Sequence, residues 1–147
     1  MKKIISIIVF CSAFCLSDVT DGILSAISYV ESRHNDRAVN VKEDAVGRYQ
    51  IQQAYFYEAQ RICEITGRPF NYTLEDRKDP AKAKEIVRIY LNFWGRQYKK
   101  AKKAEPTAEV YFKIHNGHAF WKHRKSDKAY FSNIDVYASK ALNAMNK

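Results

Sequence analysis

Asp21-Gly22-Ile23-Leu24-Ser25-Ala26-Ile27-Ser28-Tyr29-Val30-Glu31-Ser32, followed by Gly47-Arg48-Tyr49-Gln50-Ile51, is the part of the chain from which the rest is read. Ile23, Leu24, Ile27 and Val30 recur near the helical period, Asp21 can cap the helix, and Glu31 falls in its last turn. Residues 35 to 48 are polar, and Asn35-Asp36, Asn40 and Gly47 are turn formers, which predicts a loop or a short β-excursion. A carboxylic acid at the end of a helix, facing a glycine-permitted turn that carries an aromatic and an amide, suits acid catalysis on a polar substrate.

Further along, Gln52 to Thr66 has helical character and is stopped by Gly67 and Pro69. Asn71 to Asp76 reads as a turn. Asp79-Pro80 is a strong helix start, with proline at the first helical position, and the helix that follows should bury Ile86, Ile89, Tyr90, Phe93 and Trp94. Glu105-Pro106 opens another helix through Ile114, which Asn116-Gly117 ends with a turn. The last helix runs from near Ser132 into Met145, with Ile134, Tyr137, Ala138 and Leu142 facing inward. No internal repeat, low-complexity linker or composition shift marks a second domain, so the prediction is one mainly α domain.

Lys2 and Lys3, the apolar run Ile4 to Phe14, and the small residues Ser12, Ala13 and Ser17 read as a secretory signal over residues 1–17, leaving a domain at 18–147. The run is too short to span a bilayer comfortably. Phe10 before Cys11 and Phe14 before Cys15 argue against lipidation. No transmembrane anchor is expected after cleavage, and the destination is the periplasm or the cell exterior. Of the 3 cysteines only Cys63 would survive, so no internal disulfide is expected. Tyr57, Ala59, Ile62 and Ile65 around it mark a buried thiol rather than a nucleophile. A chain of 147 residues with 46% hydrophobic content suits one compact core.

The 25 Lys and Arg against 16 Asp and Glu give a formal charge of +9, which favours anionic surfaces such as a bacterial wall. Lys99-Lys100, Lys102-Lys103 and Lys122-His123-Arg124-Lys125, near Tyr98, Phe120 and Trp121, would suit nucleic acid inside a cell. The export signal argues against that partner and leaves a solvated basic face. His115 and His118 are separated by a turn-forming Asn116-Gly117, with no cysteine or well-spaced carboxylate to complete a ligand set. Surface or stacking histidines are expected there, and no metal.

The same residues form an ordered set of motifs. Glu31-Ser32, Ala38-Val39-Asn40 and Ala45-Val46-Gly47-Arg48-Tyr49-Gln50-Ile51 together resemble the lytic transglycosylase (SLT) branch of the lysozyme-like superfamily, whose pattern is Glu-Ser, Ala-x-Ser and Gly-Ala-x-Gly-Leu-Met-Gln. Asp79-Pro80-Ala81-Lys82-Ala83, followed by Tyr90-Leu91, resembles that family's Asp-Pro-x-x-Asn helix ending in Tyr-Leu. Ile114-His115-Asn116-Gly117 sits where the family has Ala-Tyr-Asn-x-Gly or a Trp-Asn-Gly variant. Asn133-Ile134-Asp135-Val136-Tyr137-Ala138-Ser139-Lys140 is similar to its Glu-Thr-Arg-x-Tyr-Val-x-Lys helix. The chain departs from the pattern in one extra residue between Asn40 and Ala45, in Asp44 for glycine and in Asn40 for serine. His115 also stands for an aromatic, and Asn133 for a glutamate. Arg48-Tyr49 replaces Leu-Met, and Gly-Arg-Tyr-Gln looks like the form in some phage muramoyl transglycosylases.

The resemblance implies a mainly α (α+β, lysozyme-like) fold that cleaves the MurNAc-GlcNAc β-1,4 bond of peptidoglycan glycan strands with no cofactor or metal. Glu31 is then the catalytic acid. It protonates the leaving oxygen and, as a carboxylate, takes the proton from the C6 hydroxyl, closing a 1,6-anhydro ring. Ser32, Asn40, Tyr49, Gln50, Asn116 and Tyr137 are the implied substrate-binding residues. Structural roles stand beside several of these: Gln50 binds an N-acetyl sugar or ties the loop, Asn116 bonds substrate or caps a helix, and Tyr137 reaches the glutamate or fills the core. A hydrolytic lysozyme would draw its second carboxylate from Asp36, Glu43 or Asp44, of which Asp44 is expected to be a turn residue. A catalytically idle, basic wall-binding protein is the third reading. A monomer is expected, with envelope or secretion machinery as a candidate partner.

Overall fold

Thr20 opens the first helix, α1 (Asp21–Ser32), because its hydroxyl accepts the N–H of Ile23. The expected cap, Asp21, is instead the first helical residue, where a carboxylate favours the positive end of the helix dipole. It also pairs with Arg88 at 2.6 Å and Lys84 at 3.0 Å. The helix stops where Arg33 and His34 take left-handed backbone, with φ of 57° and 64°. The computed structural model describes residues 18–147, so the predicted signal lies outside the described residues.

The polar stretch after α1 forms a small antiparallel sheet of β1 (Val39–Asn40), β2 (Ala45–Val46) and β3 (Ile51–Gln52), in that order. Strands this short cannot hold a sheet by themselves, and the buried Arg77 supplies the missing ties. Its guanidinium donates to the carbonyls of Ile51 at 3.1 Å, Asp44 at 3.3 Å and Leu74 at 2.9 Å. Gly47 makes this approach possible. It has φ of +78°, and a Cβ there would lie 2.0 Å from the Arg77 carbonyl oxygen.

The chain continues into α2 (Gln53–Ile65), which ends before Gly67 as expected. The segment read as a turn, Asn71 to Asp76, runs into a 3₁₀ helix, Leu74–Lys78, fixed by reciprocal bonds between Thr73 and Asp76. Asp79 then caps α3 (Pro80–Lys102) by accepting the N–H groups of Ala81 and Lys82, with Pro80 at the first position. Ile86, Ile89, Tyr90 and Trp94 are buried as expected, whereas Phe93 is half-buried.

Three boundaries of the last two helices differ from expectation. Helix α4 (Ala108–Gly117) starts at the Thr107 cap and runs through Asn116-Gly117 rather than ending before them. Tertiary packing overrides the turn signal here: a Cβ on Gly117 would come within 2.8 Å of Ile134 and of the Tyr130 hydroxyl, so the glycine serves close helix contact. The chain turns only at His118, with φ of 53°. After a short 3₁₀ turn, Phe120–Lys122, helix α5 (Lys128–Met145) begins four residues before Ser132, at the Asp127 cap.

Helix α5 packs on α1 and α4, and α2 packs on α3. The core between them holds Leu24, Ile27, Ile51, Ile86, Leu91, Phe112 and Ile114 at 0% exposure, with Cys63 buried at 1%. Full burial of such side chains contributes roughly 1.5–3 kcal/mol each. The described residues thus form one mainly α domain with a lysozyme-like content of helices and a short sheet. Among them, no helix is long and apolar enough to cross a membrane.

Candidate active site

Glu31 follows Ile27 by four residues, so the period that buries Leu24 and Ile27 turns the glutamate towards α4 and α5 rather than into open solvent. Its side chain is 19% exposed. Oε1 accepts the Tyr137 hydroxyl at 2.7 Å. Tyr137 follows the buried Ile134 by three residues, which carries it to the same seam. Burial, followed by the charge and hydrogen bond of Glu31, raises the Tyr137 phenol well above its ordinary range, so it is a neutral donor near neutral pH.

A second group meets the same oxygen. His115 Nε2 lies 3.4 Å from Glu31 Oε1, and the imidazole is only 5% exposed. Its Nδ1 is 3.2 Å from the Tyr55 hydroxyl. The ring also stacks at 25° against Tyr137, with centroids 6.3 Å apart. The stacking part of the earlier expectation therefore holds, but this is not a surface histidine. Its position on α4 beside the buried Tyr111, Phe112 and Ile114 is the signal that could have shown it facing inward.

From His115 an aromatic row leads away. Tyr55 stacks on Tyr90 with centroids 3.7 Å apart, and the Tyr90 hydroxyl bonds His118 Nδ1. His118 meets Trp94 edge-on at 4.2 Å, and Trp121 and Tyr98 continue the row. Burial pushes the phenols of Tyr55 and Tyr90 up as well. Tyr90 and Trp94 are buried, so this row packs the interior behind His115 and fixes where Tyr55 stands.

The remaining predicted residues take other places. The Ser32 hydroxyl donates to the Arg48 carbonyl at 2.9 Å and accepts the Asn35 N–H at 2.9 Å, locking helix end to loop. Gln50 has left-handed backbone, φ 48°, and its amide donates to the carbonyls of Gly47 at 2.9 Å and Ala38 at 3.4 Å. Tyr49 is 3% exposed within the core, and burial raises its phenol. Asn40 is half-buried in β1 opposite Ala45. Asn116 is exposed in the last turn of α4. The structure thus brings Glu31 and Tyr137 together, while Ser32 and Gln50 have local loop partners.

The carboxylates considered as a second catalytic group differ in their ties. Asp36 is held by the Arg48 guanidinium through Nε and Nη2, the latter at 2.9 Å, and that pairing lowers its carboxyl below the usual range. Asp44 is a left-handed turn residue, φ 49°, exposed and 4.0 Å from Arg77. Glu43 is exposed. Among the described residues, no group of three or more His, Cys, Asp or Glu converges as a metal-ligand set.

A helix-borne glutamate clasped by a distant tyrosine, with a glycine-shaped hairpin tied to the same helix end through Ser32, fits the family whose sequence description covers most of this chain. The transglycosylase SLT domain matches residues 12–134, and the chain belongs to that family of peptidoglycan lytic transglycosylases. No curated protein sequence matches it.

Proposed function

We propose that this protein is an exported enzyme, acting in the periplasm or outside the cell, that cleaves the MurNAc-GlcNAc β-1,4 bond and releases 1,6-anhydro products. The observation that carries the reading is the 2.7 Å bond from Tyr137 to Glu31 Oε1, which orients one carboxyl in the seam between α1 and α5. Glu31 gives its proton to the glycosidic oxygen as the C1–O bond breaks. The C6 hydroxyl of the same muramic unit then bonds to C1, and its proton returns to Glu31. The proton balance closes on one residue, so no second carboxylate is required.

The pairing of Asp36 with Arg48 supports this route over hydrolysis, because a carboxylate committed to a guanidinium is a poor base for water. Digestion of purified peptidoglycan followed by mass spectrometry tests the reading. Anhydro-muropeptides are expected, and Glu31→Gln should lower turnover by roughly 10²–10⁴-fold while the fold persists. Reducing-end products would instead mean a lysozyme. Near-normal turnover of Glu31→Gln would mean that the acid lies elsewhere.

A further inference from the structure

His115 is the residue of this site for which the chain departs from the family pattern and which the acid–base cycle above leaves without a task. It reaches Glu31 from α4, independently of Tyr137 on α5, and both approach Oε1. A carboxylic acid carries its proton on one oxygen, so two donors directed at Oε1 leave the proton to Oε2. That arrangement needs the histidine to present N–H at Nε2. Tyr55 allows the condition: its hydroxyl faces Nδ1 at 3.2 Å and carries an O–H that can be donated there. With Nδ1 accepting, the proton of a neutral imidazole sits on Nε2. The stack of Tyr55 on Tyr90 holds the tyrosine in place.

We propose that His115 is a positioning residue for Glu31, holding Oε1 through Nε2–H with Tyr55 behind it, so that the transferable proton is carried on Oε2. The inference rests on the assignment of Glu31 above. The titratable groups facing the imidazole are Glu31 from α1, Tyr55 from α2 and Tyr137 from α5, with Tyr90 of α3 behind Tyr55. In this arrangement the histidine acts only as a donor through Nε2–H. Its N–H stabilises the carboxylate that forms when the leaving oxygen is protonated, and it neither gives nor takes the proton. The 3.4 Å contact is longer than the usual 2.9–3.0 Å of an N–H to oxygen bond, and catalytic bonds of this kind commonly tighten in the reacting complex.

The test compares His115→Phe, which keeps a ring but no donor, with His115→Gln, whose amide nitrogen stands near the place of Nε2. Turnover of purified peptidoglycan is followed against pH, with Glu31→Gln in the same series and the melting midpoint of each variant recorded. Positioning predicts that His115→Phe loses about 10–100-fold in kcat with KM within about twofold. His115→Gln should recover most of that loss and keep the wild-type pH profile. If His115→Phe is as active as wild type, or both folded variants are equally inactive, the positioning role is wrong. A limb of the pH profile present in wild type and missing from His115→Gln would mean that His115 itself carries a proton, which also overturns the proposal. An active Glu31→Gln would remove the glutamate reading beneath it, whatever the histidine variants do.

Discussion

The last turn of α1 joins two regions held by different forces, through Glu31 on one side and Ser32 on the other. On one side α4 and α5 bring His115 and Tyr137 to Glu31 on helices whose inner faces are fully buried, as Phe112, Ile114 and Ala141 show at 0% exposure. On the other side the hairpin of residues 39–52 has strands of two residues each and is held by polar ties from Arg77, Ser32 and Gln50. The motif most visible in sequence belongs to the second region. The groups that touch the glutamate come from the first, some 84 and 106 positions away along the chain.

The sharpest way to break the comparison is Gly47→Ala. A methyl at this left-handed position would collide with the Arg77 carbonyl, so a loss of at least about 2 kcal/mol is expected, with disordering of the hairpin. Denaturant unfolding checks it, and a wild-type midpoint would show that the hairpin yields without cost. Tyr137→Phe comes next, and it addresses the helical side. Losing one hydrogen bond to a charged group is worth about 1.5–3 kcal/mol, so kcat should fall about 10–100-fold while the melting temperature changes little. An unchanged kcat would make Tyr137 a core aromatic only.

Ser32→Ala should be smaller and opposite in kind. Removing the tie to Arg48 and Asn35 should cost about 1 kcal/mol of stability, with KM for peptidoglycan nearly unchanged in the folded variant. A large rise in KM without loss of stability would return Ser32 to the substrate. The smallest effect concerns acid. Asp36 titrates below its ordinary range because Arg48 holds it, so its contribution is present above about pH 3.9, the usual Asp value, and is lost as pH falls through the lower folded value. The pair is partly exposed, so the effect is slight. Asp36→Asn should melt slightly below wild type at neutral pH, and the gap should close at the acid end. A gap that persists there would assign the effect to packing.

Much of this architecture could be read in advance, and the failures have physical causes. The period through Ile23, Leu24 and Ile27 showed α1 and brought Glu31 to its last turn, and Asp79-Pro80 marked the start of α3 almost to the residue. Thr20 and Asp21 are both good caps, and only the backbone shows which one is used. Asn116-Gly117 has turn chemistry, but the approach of Tyr130 and Ile134 needs the glycine inside a helix. For the site, the motif order pointed to Glu31 and Tyr137. The roles of Ser32 and Gln50 could not be separated, because a hydroxyl or amide that binds sugar is chemically the same as one that ties a loop. For His115 the expected stacking holds, whereas its inward reach to Glu31 had to be read from its place on α4 beside Tyr111, Phe112 and Ile114.

The family match stops at residue 134, three residues short of Tyr137. A recombinant fragment trimmed to that limit would retain only the first two turns of α5. It would lose Ala138 and Ala141 from the interior and the hydroxyl that grips the glutamate. Such a fragment should express as an inactive, poorly folded chain, although it keeps the Glu31 and Gly47–Ile51 motifs. The folded unit extends beyond the matched residues, so α5 is needed whole, through Met145, to close the core over Glu31.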